Sequence, residues 1–355
     1  MTNEHFGFIG LGNMGGPMAR NVCEKGLSLI VHDIAGTAER APTGAEIAQS
    51  NDEVARRAGV IVLSLPSVEI NRAVVQEIAQ AGQAGCVLVD TCTIGPEAAA
   101  GNSRILEAAG IGYVDAPVSG LRFRAEEGTL TSMAAGTSEA VARARPLIEG
   151  YSRVLYHVGQ NPGQGQYMKL VNNALCISAY VTTSEALVYG ERGGLDMDTM
   201  LQVLNDSSGQ NFSTSQIFPK YVATGRYDES GADAHIVEKD LGLFVEGTKA
   251  MHSAYSHSHV RMHTRVLVFH TLTECDEPEA IIVSSVLSAS ERTSDRWPMD
   301  SSSPASTTSS APTRCTSIVL FLSATAMSRW PVADGVGWKV KPIMRVRVRM
   351  MCTDS

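Results

Sequence analysis

Near the start of the chain stands Phe6-Gly7-Phe8-Ile9-Gly10-Leu11-Gly12-Asn13-Met14-Gly15, an apolar run that leads into a turn with three glycines. The apolar run predicts a buried strand, the glycines match G-x-G-x-x-G, and a helix is predicted over about 15–25. Asp33 ends the next apolar run, 23 residues after Gly10. This order of strand, glycine turn, helix, strand and acid is the context in which the pattern indicates a dinucleotide-binding site.

The residues of this turn have separate predicted roles. Gly10 permits the tight turn, Gly12 lets a pyrophosphate approach the backbone, and Gly15 lets helix and strand pack closely. The phosphates are expected at the N–H groups of the helix N-terminus. Leu65 and Pro66, at the end of a later apolar run, are further candidates. The predicted cofactor-binding residues of this half are Gly10, Leu11, Gly12, Asn13, Met14, Gly15, Asp33, Leu65 and Pro66.

The acid after the second strand predicts which cofactor is bound. Asp33 is expected to accept hydrogen bonds from the adenosine ribose hydroxyls, and its charge would repel a 2′-phosphate. No Arg immediately follows Asp33 to receive such a phosphate. NAD is therefore predicted, and NADP is the less favoured cofactor.

Short apolar runs alternate with helical stretches through the first half of the chain. Candidate strands lie at 6–10, 29–33, 60–65 and 87–90, with weaker ones at 113–115 and 131–135. Continuous apolar strands separated by helices predict a parallel sheet that is covered on both faces. We therefore expect an α/β fold, a doubly wound Rossmann-type domain over 1–163.

The pattern becomes helical after residue 163. Helix-forming residues without a turn cluster predict a helix from 165 to about 190, roughly 38 Å long at 1.5 Å per residue. Further helices are predicted at 197–205 and 237–249. We expect residues 164–250 to form a mostly α-helical, incomplete substrate and dimerisation domain.

The composition changes after Ala250. Residues 251–355 hold two of the 32 glycines but all three Trp, and they include a Ser-rich run at 301–310. Such low-complexity sequence does not bury enough apolar surface to order itself. We expect residues 251–355 to form an atypical tail that is disordered or irregular. The sudden shift in composition suggests translation in a shifted reading frame.

Length, charge and cysteine content exclude several classes of protein. A chain of 355 residues predicts two domains, at about 100–200 residues per domain. The net charge of −8 argues against nucleic acid or an anionic membrane as the partner. Seven Cys without a C-x-x-C pair indicate neither a disulfide scaffold nor a zinc ribbon. No basic leader or 18-residue apolar stretch is present, so a cytoplasmic protein is expected.

Five segments resemble the β-hydroxyacid dehydrogenases, the family of 3-hydroxyisobutyrate dehydrogenase and tartronate semialdehyde reductase within the 6-phosphogluconate dehydrogenase superfamily. The segments are GFIGLGNMGGPMA at 7–19, DTCTIGP at 90–96, DAPVSG at 115–120, GQGQYMKLVNN at 163–173 and KDL at 239–241. The resemblance covers residues 5 to about 250. It implies an NAD(P)-dependent oxidoreductase that transfers a hydride between the cofactor and a small 3-hydroxy acid, or reduces the matching semialdehyde.

The resemblance also assigns roles to individual residues. It implies that Thr93 touches the nicotinamide side of the cofactor, and that Lys239 closes over cofactor and substrate. Ser119 and Gly120 match the substrate-binding segment, where Ser119 and the backbone are expected to donate to a substrate carboxylate. The small hydroxy acid is the expected partner, and a family-like homo-oligomer is expected to be weakened by the altered tail.

The catalytic assignment is to Lys169. Lys169 and Asn173 are four residues apart, so they share one face of the predicted helix. Hydride transfer needs a group that takes or gives the hydroxyl proton, and a lysine in a dry cleft near a second cation, Lys239, can do so. Asn173 is expected to hold the substrate without adding charge.

Two related enzyme classes fit the sequence less well. Phosphogluconate dehydrogenases carry a His in the segment where Val171 and Asn172 stand here, which argues against a phosphorylated sugar acid. Imine reductases usually replace the lysine that is present here as Lys169. A small 3-hydroxy acid or its semialdehyde therefore remains the predicted substrate.

Some residues depart from the family pattern. Leu121 stands where the family has a second glycine, and Arg122 or Arg124 either binds an extra carboxylate of a larger acid or is surface charge. Because of Leu121 and the altered tail, an alternative interpretation is a non-catalytic or defective NAD-binding protein with the same fold. Four His residues of the tail do not predict a metal site; they are His252, His257, His259 and His263.

Overall fold

The computed structural model describes residues 5–226, 229, 234–251, 327–332 and 335–340. The chain divides into two compact units, Met1–Thr271 and Leu272–Ser355. The first unit contains both the predicted nucleotide-binding sequence and the predicted long helix.

The first unit is built from nine strands and eleven helices among its described residues. Its strands are β1 (Phe6–Ile9), β2 (Leu29–His32), β3 (Glu46–Ile47), β4 (Val60–Leu63), β5 (Val87–Asp90), β6 (Gly112–Asp115), β7 (Val118–Ser119), β8 (Leu130–Ala135) and β9 (Ser152–Gly159). Its helices are α1 (Gly15–Glu24), α2 (Thr37–Arg40), α3 (Asn51–Arg57), α4 (Val68–Ala81), α5 (Pro96–Ala108), α6 (Leu121–Glu126), α7 (Ser138–Tyr151), α8 (Gln164–Arg192), α9 (Met197–Asn205), the π-helix π1 (Ser213–Val222) and α10 (Ala234–Ala250).

The strands form one sheet in the order β3-β2-β1-β4-β5-β6-β8-β7, and β9 pairs with β8. Strands β1 to β6 pair with one another in parallel. Strand β8 runs antiparallel to β6 and β7 and parallel to β9. The order of the first six strands is that of a doubly wound dinucleotide-binding sheet. The predicted fold class, a Rossmann-type domain followed by a helical region, is confirmed.

Two apolar clusters cover the two faces of this sheet. Successive strand residues point to opposite faces, so Phe8 packs in one cluster with α1 and α7, and Ile9 packs in the other with α3, α4 and α5. Both side chains are at most 2% exposed. The burial of both faces explains why these strands are continuous apolar runs in the sequence.

The strand register aligns the carboxyl ends of the central strands. Ile9 pairs with His32 on one side and with Leu63 on the other. Leu63 pairs with Asp90, and Asp90 pairs with Asp115. The loops that follow these five strands therefore leave the sheet along one edge, where ligands of doubly wound folds bind.

Helix α8 begins against this edge. A Cβ atom on Gly165 would lie 2.6 Å from the carbonyl oxygen of Met133 and 2.7 Å from that of Asp115. Only a glycine lets the helix backbone approach the end of β6 and the backbone of β8 this closely. Further along, Ile177 of α8 packs in a small cluster with Leu241 of α10.

The helical region follows the sequence prediction closely. Helices α1, α8, α9 and α10 correspond to the helices predicted at 15–25, 165–190, 197–205 and 237–249. A second small core joins α8, α9 and π1; its buried members are Leu187, Met200, Leu201 and Phe218. Because the sheet ends at Gly159 and the helices begin at Gln164, we propose a domain boundary near 163.

The second unit contains a structure that the sequence analysis did not predict. Strands β10 (Met327–Val332) and β11 (Gly335–Val340) pair antiparallel, with Trp330 opposite Gly337. The sequence analysis expected a disordered or irregular tail and predicted no strand here, although the residues Val336-Gly337-Trp338-Lys339-Val340 alternate with the two-residue period of a strand. The other expectations for 252–355 lie outside the described residues.

No helix in the described part of the chain is long and apolar enough to cross a membrane.

We expect Gly165→Ala to destabilise the first unit by about 1–3 kcal/mol, because the added methyl group overlaps two backbone carbonyls. The matched control is Gly247→Ala in α10, where an added Cβ meets nothing within 4 Å. That change should leave stability unchanged or raise it by up to about 1 kcal/mol. Urea unfolding followed by circular dichroism measures both, and equal stability of the two variants would contradict the close approach of α8 to the sheet.

Candidate functional site

The glycine turn after β1 has the geometry that its sequence predicts. Gly10 is buried with φ +92°, and an added Cβ would overlap the carbonyl oxygen of Ser64. A Cβ on Gly15 would overlap the carbonyl oxygen of Gly10. Gly12 is exposed, and a Cβ there meets nothing within 4 Å. The turn is therefore closed towards the sheet and open at Gly12, as the approach of a phosphate requires.

The N-terminus of α1 is suited to an anion. Its N-cap residue, Met14, makes no side-chain capping hydrogen bond, and the first turn contains no acid. The half-buried Met14 and the exposed Asn13 lie between the glycines. The first N–H groups of the helix and its dipole therefore present positive potential beside the open space at Gly12.

Asp33 is held rigidly at the end of β2. Its Oδ2 accepts a hydrogen bond from the N–H of Leu11 at 2.6 Å, and its Oδ1 accepts one from the N–H of Ala35 at 2.8 Å. The side chain is 9% exposed. The next residue, Ile34, is 97% exposed. A fixed carboxylate beside an exposed apolar side chain fits the ribose and the base of an adenosine group.

The sequence analysis missed one cation near Asp33. The Nη1 atom of Arg40 lies 3.6 Å from Oδ2 of Asp33. Arg40 is the last residue of α2, seven positions after the acid, and a search of the residues immediately after Asp33 does not find it. This end of the sheet therefore holds one acid and one exposed guanidinium group.

Leu65, Pro66 and Thr93 follow the neighbouring strands β4 and β5. The N–H of Leu65 donates to the sulfur of Cys92 at 3.1 Å, and a Cβ on Gly10 would lie 3.1 Å from Cδ2 of Leu65. Leu65 therefore borders the glycine turn. Pro66 is exposed just before α4, and Thr93 is half-buried in the loop before α5.

Gln166 connects the loop that carries Thr93 to the start of α8. Its Oε1 accepts hydrogen bonds from the N–H groups of Ile94 at 2.9 Å and Gly95 at 3.1 Å. Its Nε2 donates to the carbonyl oxygen of Cys92 at 3.0 Å and to Oδ1 of Asp115 at 2.7 Å. The side chain is fully buried, and all of its hydrogen-bonding capacity is used. The sequence analysis did not identify Gln166 as a functional residue, because its spacing to other residues matches no motif that the analysis used.

Asp115 anchors the same helix start from the end of β6. Its Oδ2 accepts the N–H of Gly163 at 2.9 Å and the N–H of Gln166 at 3.2 Å. Burial raises the pKa of Asp115 to about 7, although these hydrogen bonds lower the pKa and the charge of Asp90 adds to the rise. The carboxyl group thus holds α8 in place at the edge of the sheet.

Lys169 is half-buried on the first turns of α8, one helical turn before Asn173. Burial lowers the pKa of its ammonium group, since the charged form loses water. The negative charge of Asp240 raises this pKa in opposition, and the positive charge of Lys239 lowers it further. The ammonium group therefore lies in the electrostatic field of two α10 residues, Lys239 and Asp240.

Side chains of α8 connect the substrate segment to α10. The Nδ2 of Asn172 lies 3.4 Å from Oγ of Ser119 and donates to Oδ1 of Asn173 at 3.1 Å. The Nδ2 of Asn173 donates to Oδ2 of Asp240 at 2.6 Å. Asp240 is 3% exposed, so this carboxylate is a buried partner that the sequence analysis had treated only as a neighbour of Lys239.

Lys239 completes the connection to the loop that carries Thr93. Its Nζ lies 2.9 Å from Oδ1 of Asp240 and donates to the carbonyl oxygen of Thr93 at 2.6 Å. Five side chains and one carbonyl group are thus connected by four hydrogen bonds and, between Asp240 and Lys239, by one ion pair; this series is here named the polar chain. Its members are Ser119, Asn172, Asn173, Asp240, Lys239 and the carbonyl group of Thr93.

The segment after Gly120 has an unusual backbone. Leu121 has φ +62°, the only positive φ of a non-glycine residue in the described ranges. An L-residue in this left-handed region costs roughly 1–2 kcal/mol, which explains why a glycine at this position is the less strained choice. The departure noted in the sequence is therefore a strained backbone at the first residue of α6.

The two arginines after Leu121 differ in their surroundings. Arg122 is exposed, and its Nε lies 2.8 Å from Oε1 of Glu126. Arg124 is half-buried, and its guanidinium group lies between the rings of Phe123 and Phe212. Arg122 is thus surface charge, whereas Arg124 is not.

Metal ligands are not grouped in the described ranges, where no three His, Cys, Asp or Glu side chains are placed to hold an ion. The His residues of the tail that the sequence analysis considered lie outside those ranges.

Comparison with protein families gives two matches that together span most of the first unit. Residues 5–159 match the NAD binding domain of 6-phosphogluconate dehydrogenase. Residues 163–270 match the NAD-binding domain of NADP-dependent 3-hydroxyisobutyrate dehydrogenase. The second match extends past Ala250, where the composition changes.

Individual relatives and structures agree with these matches. The chain is 36% identical over 249 residues to 2-(hydroxymethyl)glutarate dehydrogenase of Eubacterium barkeri, which covers 68% of this chain and 82% of the relative. It is 33% identical over 266 residues to 3-hydroxyisobutyrate dehydrogenase of Pseudomonas aeruginosa, which covers 70% and 86%. The solved structure of Mycobacterium tuberculosis 3-hydroxyisobutyrate dehydrogenase with L-serine superposes with a TM-score of 0.67 at 26% identity, covering 76% of this chain and 94% of that one. With its doubly wound sheet, its glycine turn and these relatives, the chain belongs to the β-hydroxyacid dehydrogenase family of NAD(P)-binding oxidoreductases.

Proposed function

We propose that this chain transfers a hydride between NAD and a small 3-hydroxy acid, or reduces the matching semialdehyde, with Lys169 as general acid and base. The observation that carries the proposal is the polar chain, which connects Ser119 to the carbonyl group of Thr93. It joins the segment predicted to bind substrate to the loop predicted to face nicotinamide. Lys169 is on the same helix as two members of the polar chain.

The cofactor's place is the carboxyl edge of the sheet. The open turn at Gly12 and the uncapped N-terminus of α1 would hold the pyrophosphate, and Asp33 would accept the ribose hydroxyls. When bound, the nicotinamide ring accepts or donates the hydride. Thr93 and Lys239 would border that ring, while Leu65 and Pro66 would border the turn.

Lys169 is suited to move the proton of the substrate hydroxyl group. In the direction of oxidation, its neutral amine takes the proton from the hydroxyl oxygen as the hydride leaves the carbon atom that bears this oxygen. In reduction, its ammonium group returns a proton to the carbonyl oxygen. A lysine with an ordinary pKa is almost always charged near neutral pH, and the lowering of the pKa by burial favours the neutral amine that oxidation needs.

The remaining polar residues position the substrate. The hydroxyl of Ser119 and the backbone at Gly120 would donate hydrogen bonds to the substrate carboxylate. Asn173 would hold the substrate hydroxyl group, because its own side chain is kept in place by Asp240. Neither group adds charge beside Lys169, so the proton-transfer chemistry remains that of one amine.

The relatives support this substrate class. 2-(Hydroxymethyl)glutarate and 3-hydroxyisobutyrate, the compounds in their names, share the unit HOCH2–CH(R)–COO⁻. We propose a substrate of this form for this chain. A non-catalytic NAD-binding protein, the alternative raised by Leu121 and the tail, gains no support from relatives that are named dehydrogenases.

The preference for NAD rests on Asp33. Its buried carboxylate stands where a 2′-phosphate would come, and like charges there disfavour NADP. Arg40 partly offsets this repulsion, because its guanidinium group is within 3.6 Å of the carboxylate.

Replacing Lys169 by Ala should lower kcat for alcohol oxidation by about 10²- to 10⁴-fold, the usual contribution of general acid–base catalysis. The affinity for NADH, measured by fluorescence titration, should change less than about threefold, because the residue does not hold the adenosine half of the cofactor. Lys249→Ala, an exposed lysine at the end of α10, is the control and should behave like the wild type. Wild-type turnover in the Lys169→Ala variant would remove Lys169 from the mechanism.

The pH dependence should report the pKa of Lys169. Because oxidation needs the neutral amine, kcat/KM for oxidation should rise with pH through a pKa below the ordinary value of about 10.4. Asp240→Asn removes a negative charge that favours the ammonium form, so the same rise should move to lower pH. Glu246→Gln, at an exposed position of the same helix, should leave the profile in place. A profile that Asp240→Asn does not move would contradict the assignment.

Cofactor choice can be tested at Asp33. We expect Asp33→Asn to shift the ratio of kcat/KM for NADP to that for NAD upwards by about tenfold or more, since a charge that repels the 2′-phosphate is lost. Arg40→Gln should shift the ratio in the opposite direction and leave NAD use nearly unchanged. Steady-state kinetics with both cofactors measure the ratios, and a wild-type enzyme that prefers NADP would overturn the proposal for NAD.

A further inference from the structure

We propose that the substrate of this site carries a second carboxylate, and that Arg124 and Lys220 bind it beside Gly120. The inference rests on the proposed function, which places the first carboxylate at Ser119. It narrows the substrate class from small 3-hydroxy acids to those whose R group ends in a carboxylate.

Arg124 lies directly against the substrate segment. A Cβ atom on Gly120 would be 2.7 Å from Cδ and 2.8 Å from Cβ of Arg124. The aliphatic stem of the arginine therefore packs on the backbone of the residue that follows Ser119. From this position a guanidinium group can reach a group that extends from a substrate held at Ser119.

Aromatic rings hold Arg124 and Lys220 in one cluster. The guanidinium carbon of Arg124 lies 5.8 Å from the ring centroid of Phe123 and 5.6 Å from that of Phe212. The Nζ of Lys220, on π1, lies 4.0 Å from the centroid of the same Phe123 ring and 5.5 Å from that of Tyr221. Two cations on one shared ring are fixed in place without being neutralised.

The cluster has no acidic partner in the part of the chain that the structure describes. Neither Arg124 nor Lys220 forms an ion pair there, whereas Arg122, two residues before Arg124, is paired with Glu126 at 2.8 Å. Both Arg124 and Lys220 are half-buried, so water screens their mutual repulsion only in part. A bound carboxylate would relieve this repulsion and would accept the paired N–H groups of an arginine.

The position of the cluster assigns it to the substrate. Phe123 and Arg124 are on α6, immediately after Gly120, and Phe212 and Lys220 come from the helical region. An anion bound by these two cations would therefore lie next to the segment that contains Ser119 and Gly120. A dicarboxylic 3-hydroxy acid would place one carboxylate at Ser119 and the other at Arg124 and Lys220. A monocarboxylic acid would have no group to bind these two cations.

Steady-state kinetics with 2-(hydroxymethyl)glutarate and 3-hydroxyisobutyrate test the inference. For the wild type, kcat/KM should be higher with the dicarboxylate. Arg124→Gln should lower kcat/KM for the dicarboxylate by about 10- to 100-fold and change that for the monocarboxylate less than about threefold. Lys220→Gln should act in the same direction. Arg122→Gln is the matched control on the same helix and should leave the ratio of the two values unchanged.

A binding measurement separates this inference from the proposed function. Isothermal titration calorimetry of NADH-saturated protein with glutarate and with isobutyrate requires no turnover. We expect tighter binding of glutarate by the wild type, and a loss of that difference in Arg124→Gln but not in Arg122→Gln. Absence of turnover with both hydroxy acids would contradict the proposed function alone. Equal binding of the two acids by the wild type, or an unchanged preference in Arg124→Gln, would overturn the second carboxylate site.

Discussion

The buried carboxamide of Gln166 holds together the parts from which the site is made. It accepts two N–H groups of the loop that carries Thr93 and donates to Cys92 and to Asp115. Each of these bonds lies away from water, where an unpaired polar group costs about 1–3 kcal/mol. The loop that carries Thr93 and the helix that carries Lys169 are therefore fixed to one another by one side chain.

Two buried acids extend this arrangement across the sheet. Asp90 and Asp115 end neighbouring strands and lie opposite each other in the register. Asp90 accepts hydrogen bonds from Asn71 and Tyr113 and from the N–H of Cys92, so it is surrounded by donors. Burial raises the pKa of both carboxyl groups, because the charged form of each loses its contact with water. The hydrogen bonds of these two carboxyl groups fix the edge of the sheet at which the loops and α8 begin.

The electrostatic surroundings of Lys169 depend on this rigid attachment of α8 to the sheet. Helix α8 cannot move away from the sheet, because Gly165 packs on two carbonyl groups and Asp115 binds the N–H groups at its start. The helix α10 approaches from the other side with Lys239 and Asp240. Lys169 therefore stays in a fixed environment. Burial and the charge of Lys239 lower its pKa there, and the carboxylate of Asp240 raises it.

Sequence could predict what depends on local pattern. The glycine turn, the central strands, α1 and α8 follow from spacing and apolar runs, and the resemblance to a family supplied Lys169 and Asn173. The contacts of Gln166 could not be predicted, since Gln166 and Ile94 are 72 residues apart and meet only once the sheet has formed. The pairing of Arg40 with Asp33 and the positive φ of Leu121 likewise depend on how loops close.

Local sequence pattern also could not predict which charged side chains form ion pairs. Arg122 and Arg124 are two residues apart and look alike in sequence, yet one pairs with Glu126 in solvent and the other lies between aromatic rings. The difference is made by Phe212, which belongs to a distant part of the chain. Polar sites of this kind need the tertiary structure, because their partners come from separate elements.

A crystal structure of the chain in a dead-end complex with NADH and 3-hydroxyisobutyrate is the measurement that bears on the proton transfer itself. The account predicts Nζ of Lys169 within about 2.6–3.2 Å of the substrate hydroxyl oxygen, with the substrate carboxylate at Ser119. A lysine turned into bulk water, with another side chain bound to that hydroxyl group, would contradict it.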